Sequence, residues 1–214
     1  MMFTKMMLVV DQHANMKDYA ELARYVTQHL DPAQDLVFTQ GPTDVLDHSC
    51  SKMAFGGKLG IDATTKFDEE LRAPRMPIDV SRANVSLTAL QAAHPEIRAL
   101  NAALLPHNIA LVAITIHKTE KGQVRALGRA LFRRPEFAQV KLLIVLDDDL
   151  DITDIQDAVW RFANNADVKR DSLVLEPEAQ GECAHLLIDG TRKTKALDGF
   201  ERDWPNVLIS APET

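Results

Sequence analysis

The chain is poor in cysteine, in clustered positive charge and in long apolar runs, and each shortage excludes a class of function. Two cysteines in 214 residues, Cys50 and Cys183, cannot build a disulfide framework or a cysteine-ligated zinc site. They fit the reduced thiols of a cytoplasmic protein. Lys plus Arg number 24 against 31 Asp plus Glu, a net charge of −7, and no basic run offsets it. A chain of that sign repels phosphate backbones, which argues against nucleic-acid binding. Apolar runs such as Ile109–Ile116 fall well short of the roughly 20 residues that cross a bilayer. The opening Met1–Asp11 has no small-residue cleavage site and leads straight into a strand pattern, so it does not read as a signal peptide. Its abruptness suggests a chain cut from something longer. The material for a core is present: 46% of residues are hydrophobic and 26% charged, which excludes wholesale disorder and suits one large domain or two small ones.

Two segments share one pattern. Lys5–Asp11 and Lys141–Asp147 each run Lys, apolar residues, Asp, as expected of strands buried on both faces. A helical spacing follows each: Tyr19, Leu22, Ala23, Val26 and Leu30 in the first, Ile155, Ala158, Val159 and Phe162 in the second. Thr153 with Gln156 gives a capping-box signature. A polar turn and a short strand come next, near Leu36–Thr39 or Ser172–Glu176. Lys5–Phe38 aligns without a gap on Lys141–Val174, and Lys5, Val9, Asp11, Asp18, Asp31 and Asp35 meet identical residues. Leu59–Lys66 matches Leu186–Lys193 after a shorter loop in the second copy. This internal repeat predicts two superimposable strand–helix–strand units, with Asp11/Asp147 and Asp35/Asp171 equivalent. Neither unit can cover its own strands, so each needs the other, with further helices, to do it.

The predicted fold is α/β, an αβα sandwich with a mostly parallel or mixed sheet. Residues 1–80 form the first unit, 81–104 a connecting helical segment and 105–214 a second, degenerate unit. Between the copies, Arg72–Pro77 is extended or linker-like. Leu87–Leu105 reads as one helix or two broken at Pro95, Ile109–Ile116 as a strand and Gly122–Phe132 as a helix. The Met-rich opening, Met1, Met2, Met6 and Met7, suits core packing.

Residues that could carry chemistry are few. Asp147, Asp148, Asp149, Asp151 and Asp154 cluster after a strand. An EF-hand counted from Asp147 lacks its central Gly and has Ala158 where the bidentate Glu belongs. Asp148, Asp149 and Asp189 resemble the acids of a phospho-acceptor receiver domain, but the connection after Asp189 is too short for that fold. Helix capping and a favourable place beside the helix N-terminus account for these acids more simply. Phe55-Gly56-Gly57-Lys58 precedes a strand and lacks the Lys-Ser/Thr of a phosphate loop, so it reads as a flexible loop. His48 near Cys50 could pair as nucleophile and base, without a third orienting group, and His185 near Cys183 is no stronger. No self-contained active site emerges.

The wording of the segments carries a resemblance. Phe3–Asp11, the helix after it and Asp31-Pro32-Ala33-Gln34-Asp35 resemble the C-terminal domain of the UbiD family of decarboxylases. Pro42–His48 and Gly56–Lys66 are similar to that family's loop and closing strand. In the second copy, Asn108–Lys118, the Gly122–Phe132 helix, Val145–Ile152, Val159-Trp160 and Asp171 resemble the same family, but the large loop is missing and Asn164 and Asn165 depart from its pattern. That copy reads as a structural one.

The resemblance implies a function outside this chain's own residues. UbiD-like enzymes remove CO₂ from aromatic or α,β-unsaturated acids with prenylated FMN, Mn²⁺ and K⁺, and their cofactor site and Glu–Arg–Glu catalytic set lie in an N-terminal domain. No catalytic, cofactor-binding or metal-binding residue is assigned here, and this chain alone is expected to bind no cofactor and to be inactive. Its implied partners are the N-terminal catalytic domain of the same protein and further copies of itself in a homo-oligomer. The implied setting is ubiquinone or menaquinone biosynthesis in the cytoplasm, with membrane association through a lipophilic substrate. By position, Phe3 and Thr4 lie where family members wall the substrate pocket, and Val45, Leu46 and His48 lie near the loop that covers it. The loop Gly41–Gly57 is expected to face the catalytic domain and to be mobile without it. The alternative is a stand-alone binding or oligomerisation module, in its sharpest form a receiver-like signalling domain.

Overall fold

A computed structural model describes residues 3–71, 75, 77–178 and 182–203. Strand β1 (Met6–Val9) leads to α1 (Tyr19–His29), β2 (Leu36–Pro42) and β3 (Phe55–Asp62). After α2 (Leu87–Ala93), β4 (Ile97–Asn101), β5 (Leu111–Ile116) and α3 (Gln123–Phe132) come β6 (Leu142–Asp147), α4 (Ile155–Asn165), β7 (Ser172–Leu175), β8 (His185–Asp189) and the short α5 (Lys195–Asp198).

The repeat is visible in three dimensions. The first unit forms a three-stranded sheet in the order β1-β3-β2, with β1 parallel and β2 antiparallel to β3. The second repeats this as β6-β8-β7 and extends it beyond β6 by β5 and β4, giving five strands. Helices α1 and α4 start at equivalent caps: Asp18 accepts from the amides of Ala20 and Glu21, Asp154 from those of Gln156 and Asp157. The Asp31 amide donates to Asp35 at 2.7 Å and the Asp167 amide to Asp171 at 2.8 Å. Thr65 donates its amide to Asp11, and Arg192 donates its own to Asp147. The fold is thus mixed α/β, with two sheets where the sequence suggested one.

The units share an apolar layer. Leu36 and Phe38 of the small sheet pack with Leu142, Ile144, Val174, Leu186 and Ile188 of the large sheet and with Phe162 of α4. The opposite face of the large sheet holds the main core, where Leu143, Val145, Leu173 and Leu187 meet Val124, Leu127 and Leu131 of α3.

Several expectations need correction. The Leu87–Leu105 pattern is not helical throughout: α2, capped by Ser86, ends at His94 ahead of Pro95, and β4 follows. Residues 81–104 therefore contribute the edge strand of the large sheet and are not a helical connection. The cap of α4 is Asp154, because the Thr153 hydroxyl bonds to Asp151 and the Asp154 carboxylate is the one aimed at the free amides. Met7 is exposed, so it is not core packing, and Met1 and Met2 lie outside the described residues. Most of Arg72–Pro77 also lies outside them; Arg75, which is described, pairs with the buried Asp35 at 2.7 Å.

Candidate functional site

The N-terminal end of β1 and the Gly41–Gly57 loop form one surface, joined by a single lysine. Lys5 directly follows Thr4, and its ammonium donates to Asp47 Oδ1 at 3.2 Å and to Ser49 Oγ at 2.9 Å. Asp47 stands between Leu46 and His48. Burial alone would raise its pKa, but hydrogen bonds from Ser49 and the Lys5 charge outweigh this and hold it below the ordinary carboxylate value. The side chain of Lys58 reaches back to the Thr4 carbonyl at 2.8 Å. The Lys5–Asp47 pair thus ties the loop stretch that carries Leu46 and His48 to the start of β1, next to Phe3 and Thr4 in sequence. Phe3, Val45 and Leu46 are exposed there, Leu46 at 76%, and His48 is half-buried. Met53 and Phe55 add further exposed apolar surface from the same loop and strand.

The loop is less free than expected. Its tip is exposed, but Thr43, Ser49 and Cys50 are buried. Arg170 donates to the Ser49 carbonyl at 2.7 Å, and Arg202 donates to the carbonyls of Asp47 and Cys50. The Gly57 amide donates to Asp167 at 3.0 Å. The second unit therefore holds the base of this loop, which the missing loop in that unit gave no reason to expect. Cys50 is buried behind Gly56 with its thiol pushed up by burial, and no bond to His48 is present among the described residues, so the nucleophile–base pairing is not formed.

The glycine pair answers a packing demand. A Cβ on Gly56 would stand 2.2 Å from Cys50 Sγ, and one on Gly57 would stand 2.1 Å from Asp167 Oδ1 and 2.6 Å from the Lys169 amide. The space over Gly56 is filled by Cys50 and that over Gly57 by Asp167 and Lys169 of the second unit, so they do not cradle a phosphate. Among the described residues no group of three or more His, Cys, Asp or Glu could hold a metal ion. The donors here do not fit a flavin phosphate with its divalent metal.

Sequence reasoning missed one cluster and, in a second, named only Cys183 and His185, which the structure brings within 3.8 Å of each other. Asp11 accepts from the Tyr25 hydroxyl at 2.5 Å and from Thr65 Oγ1 at 2.7 Å, and these bonds hold its carboxyl far below the usual range. Burial, with the bond to Asp11, pushes the Tyr25 phenol up. Tyr25 also stacks on His29 and meets His13 edge-on. The second cluster surrounds Lys141, buried with its ammonium on the Leu30 and Gln28 carbonyls and its pKa lowered by burial to about 8. Cys183 is raised by burial to about 12, and His185, stacked on Phe132, is lowered by burial. The identity of Lys141 with Lys5 in the repeat was the available signal.

The family model described as the 3-octaprenyl-4-hydroxybenzoate carboxy-lyase C-terminal domain matches residues 1–63 and 78–189, taking in both units. An uncharacterised protein of Archaeoglobus fulgidus is 31% identical over 145 residues, covering 61% of this chain and 29% of that protein. One of Helicobacter pylori J99 is 30% identical over 207 residues, covering 96% of this chain and 31% of that protein. The chain thus spans less than a third of the length of these relatives. Among solved structures, an evolved dimeric form of the UbiD-class enzyme HmfF from Pelotomaculum thermopropionicum, in complex with prFMN, is 21% identical with a TM-score of 0.45, covering 59% of this chain and 26% of that one. Vanillic acid decarboxylase of Sedimentibacter hydroxybenzoicus in its closed form is 18% identical with a TM-score of 0.45, covering 58% of this chain and 27% of that one.

Proposed function

Because this chain belongs to the family of UbiD-like decarboxylase C-terminal domains, we propose that it serves as the substrate-capping and oligomer-building part of a prenylated-FMN-dependent decarboxylase. The substrate is an aromatic or α,β-unsaturated carboxylic acid, and the setting is quinone biosynthesis. The observation that carries the reading is the exposed apolar end of the small sheet, where Phe3, Val45 and Leu46 stand on a base fixed by Lys5 and Arg170. A rigid base under an apolar tip suits a surface that closes over a hydrophobic acid and excludes water. Phe3, Thr4, Val45, Leu46 and His48 form the pocket edge in this proposal. The catalytic set, the prenylated FMN, the Mn²⁺ and the K⁺ belong to a catalytic domain in the same polypeptide, and the intact enzyme is a cytoplasmic homo-oligomer that meets its lipophilic substrate at the membrane. No helix among the described residues is long and apolar enough to cross a membrane.

The test is an assay of this chain and of the longer polypeptide with prenylated FMN, Mn²⁺, K⁺ and a panel of aromatic acids. The longer polypeptide should release CO₂, this chain none, and L46D in the longer polypeptide should lower kcat/KM about tenfold. Turnover by this chain, or an L46D enzyme with unchanged kcat/KM, would overturn the proposal.

A further inference from the structure

The repeat builds the same charged site twice, once filled and once open. At the filled site, the Gly41–Gly57 loop lays the Asp47 carboxylate on the Lys5 ammonium, with Oδ1 at 3.2 Å and Oδ2 at 3.0 Å. The second unit supplies the surroundings: the Ala166 carbonyl on Lys5 at 3.1 Å, and Arg170 gripping both oxygens of Asp171, with Lys193 3.6 Å from that carboxylate. At the other site the first unit supplies matching groups. The Leu30 carbonyl takes the Lys141 ammonium at 2.6 Å, Arg75 grips both oxygens of Asp35 at 2.7 Å, and Lys66 lies 3.8 Å from Asp35. The loop alone has no counterpart, because the connection from β7 to β8 is shorter than that from β2 to β3. Lys141 and Arg75 line instead a cavity of about 320 Å³.

Both cations in that lining have donors left over. Lys141 is only 5% exposed. Of its three N–H groups, one meets the Leu30 carbonyl and one the Gln28 carbonyl at 3.3 Å, and among the described residues it makes no third bond and no ion pair. Arg75 Nε is buried without a hydrogen-bond partner. A buried ammonium with no counter-charge is costly, and Lys5 shows what answers it in this setting: one carboxylate, presented through both oxygens. The rest of the lining defines the remainder of the ligand. Leu30, Ile78 and Pro177 offer apolar surface, which suits a hydrocarbon body. Asp31, Glu176 and Glu182 also border the cavity and oppose a second negative charge, which disfavours phosphate and dicarboxylates.

We infer that this cavity is a binding site for a small monocarboxylic acid with an apolar body, its carboxylate seated on Lys141 as Asp47 is seated on Lys5. The ligand takes the place that the first unit fills with its own loop. Its volume is at the lower end of small-molecule pockets, which suits an acid of a few carbons. A free acid fits better than a protein segment, because the rim formed by Glu176 and Glu182 repels the acidic side chains that such a segment would present. This inference rests on the repeat and not on the decarboxylase reading.

The experiment titrates the full chain with hexanoate and follows backbone amide shifts by NMR. Saturable shifts should appear at Leu30, Asp31, Cys183 and Ala184, all of which line the cavity. Hexanamide, with the same body and no charge, should bind about tenfold more weakly or not at all. K141M should weaken hexanoate about tenfold. In case K141M fails to fold, E176Q supplies a second measurement: Glu176 is exposed, and loss of its charge at the rim should tighten hexanoate about threefold. Hexanoate that leaves those amides unmoved, equal binding of hexanamide, or a folded K141M with unchanged affinity would overturn the inference. So would an E176Q protein that binds no tighter. Inorganic phosphate binding more tightly than hexanoate would overturn the choice of a monocarboxylate. A peptide copying residues 43–50 that displaced hexanoate at tenfold lower concentration would show a protein segment to be the occupant, and would overturn the inference equally.

Discussion

Lys5 and Lys141 occupy the same position in the two units, and each closes the end of the other unit's helix. The Lys5 ammonium donates to the Ala166 carbonyl just past α4 at 3.1 Å, and that of Lys141 donates to the Leu30 carbonyl just past α1 at 2.6 Å. Each satisfies carbonyls that a helix end leaves without partners, with a positive charge at the negative end of the dipole. The exchange ties the units together, and the two positions differ in exposure. Lys141 is 5% exposed, whereas the side chain of Lys5 is 19% exposed and also pairs with Asp47. K141M should cost roughly 2–4 kcal/mol in urea unfolding, since it strips charged donors from buried carbonyls. K5M should cost less, about 1–2 kcal/mol, because water can reach part of the site. Equal losses would mean that the exposure difference is not felt in stability.

The Lys141 pocket also sets an alkaline response. Lys141 is depressed in the folded state, from 10.5 to about 8, so between those values the unfolded chain binds the extra proton and stability rises with pH. Cys183 is raised from 9.0 to about 12, so the unfolded chain loses its proton first and stability falls with pH over that span. The opposing slopes predict a gain between about pH 8 and 9, near-cancellation to about 10.5 and a loss above it. Urea midpoints of the wild-type chain against K141M should show the gain disappear. Against C183A, the loss above pH 10.5 should shrink.

The glycines of β3 separate close packing from freedom of space. G57A should be the worst of three substitutions, because its methyl group meets the Lys169 backbone as well as Asp167, and G56A should follow through Cys50. Losses of about 1–3 kcal/mol or more are expected for both. G60A finds Val37 no nearer than 3.7 Å and should be neutral or slightly stabilising. Thermal unfolding of the three variants checks the order. A harmless G57A would remove the packing account of this segment.

The strands and helices of the repeat were legible because local chemistry and tertiary demand coincide there. Asp18 and Asp154 cap their helices where the sequence aligns them, and Asp35 and Asp171 receive the same turn amides. Strand β4 was illegible because Ile97–Asn101 is short, and its apolar spacing continues the helical pattern of Leu87 and Leu90. Its identity comes from pairing with β5, a contact no local window contains. The proposed substrate edge of Phe3, Thr4, Val45, Leu46 and His48 rests on resemblance and not on chemistry, since its residues carry no motif. The link between its two parts, Lys5 to Asp47, joins residues 42 apart in sequence. The Asp11–Tyr25–Thr65 cluster was missed for the same reason.

The acidic run after β6 gives the last prediction, and it contrasts exposed acids with buried ones. Asp148 accepts from His117 at 3.0 Å and lies 3.9 Å from Arg98, while Asp149 lies 3.4 Å from Arg161. They serve in surface ion pairs and do not cap α4, a role that belongs to Asp154. Asp189, the acid a receiver domain would modify, has Oδ1 occupied by the amide and hydroxyl of Thr191 and by Lys193 at 3.1 Å. Acetyl phosphate with Mg²⁺ should therefore add no phosphoryl group, and a stable adduct on Asp189 by mass spectrometry would restore the signalling alternative. Removing charge should sort the same residues by stability. D148N and D149N should each change it by about 0–1 kcal/mol, as exposed pairs do. Asp171 is 5% exposed and receives Arg170 through both carboxylate oxygens, the Asp167 amide at 2.8 Å, and Lys193 at 3.6 Å. Its carboxyl is raised by burial despite those partners, so the site already bears a desolvation cost. D171N would leave Arg170 and Lys193 short of their counter-charge and should cost about 3–5 kcal/mol. The damage should reach the proposed substrate edge as well, because Arg170 also holds the Ser49 carbonyl at the base of the loop that carries Val45 and Leu46. Faster amide exchange across residues 43–50 in D171N, with unchanged exchange there in D148N, is the expected pattern.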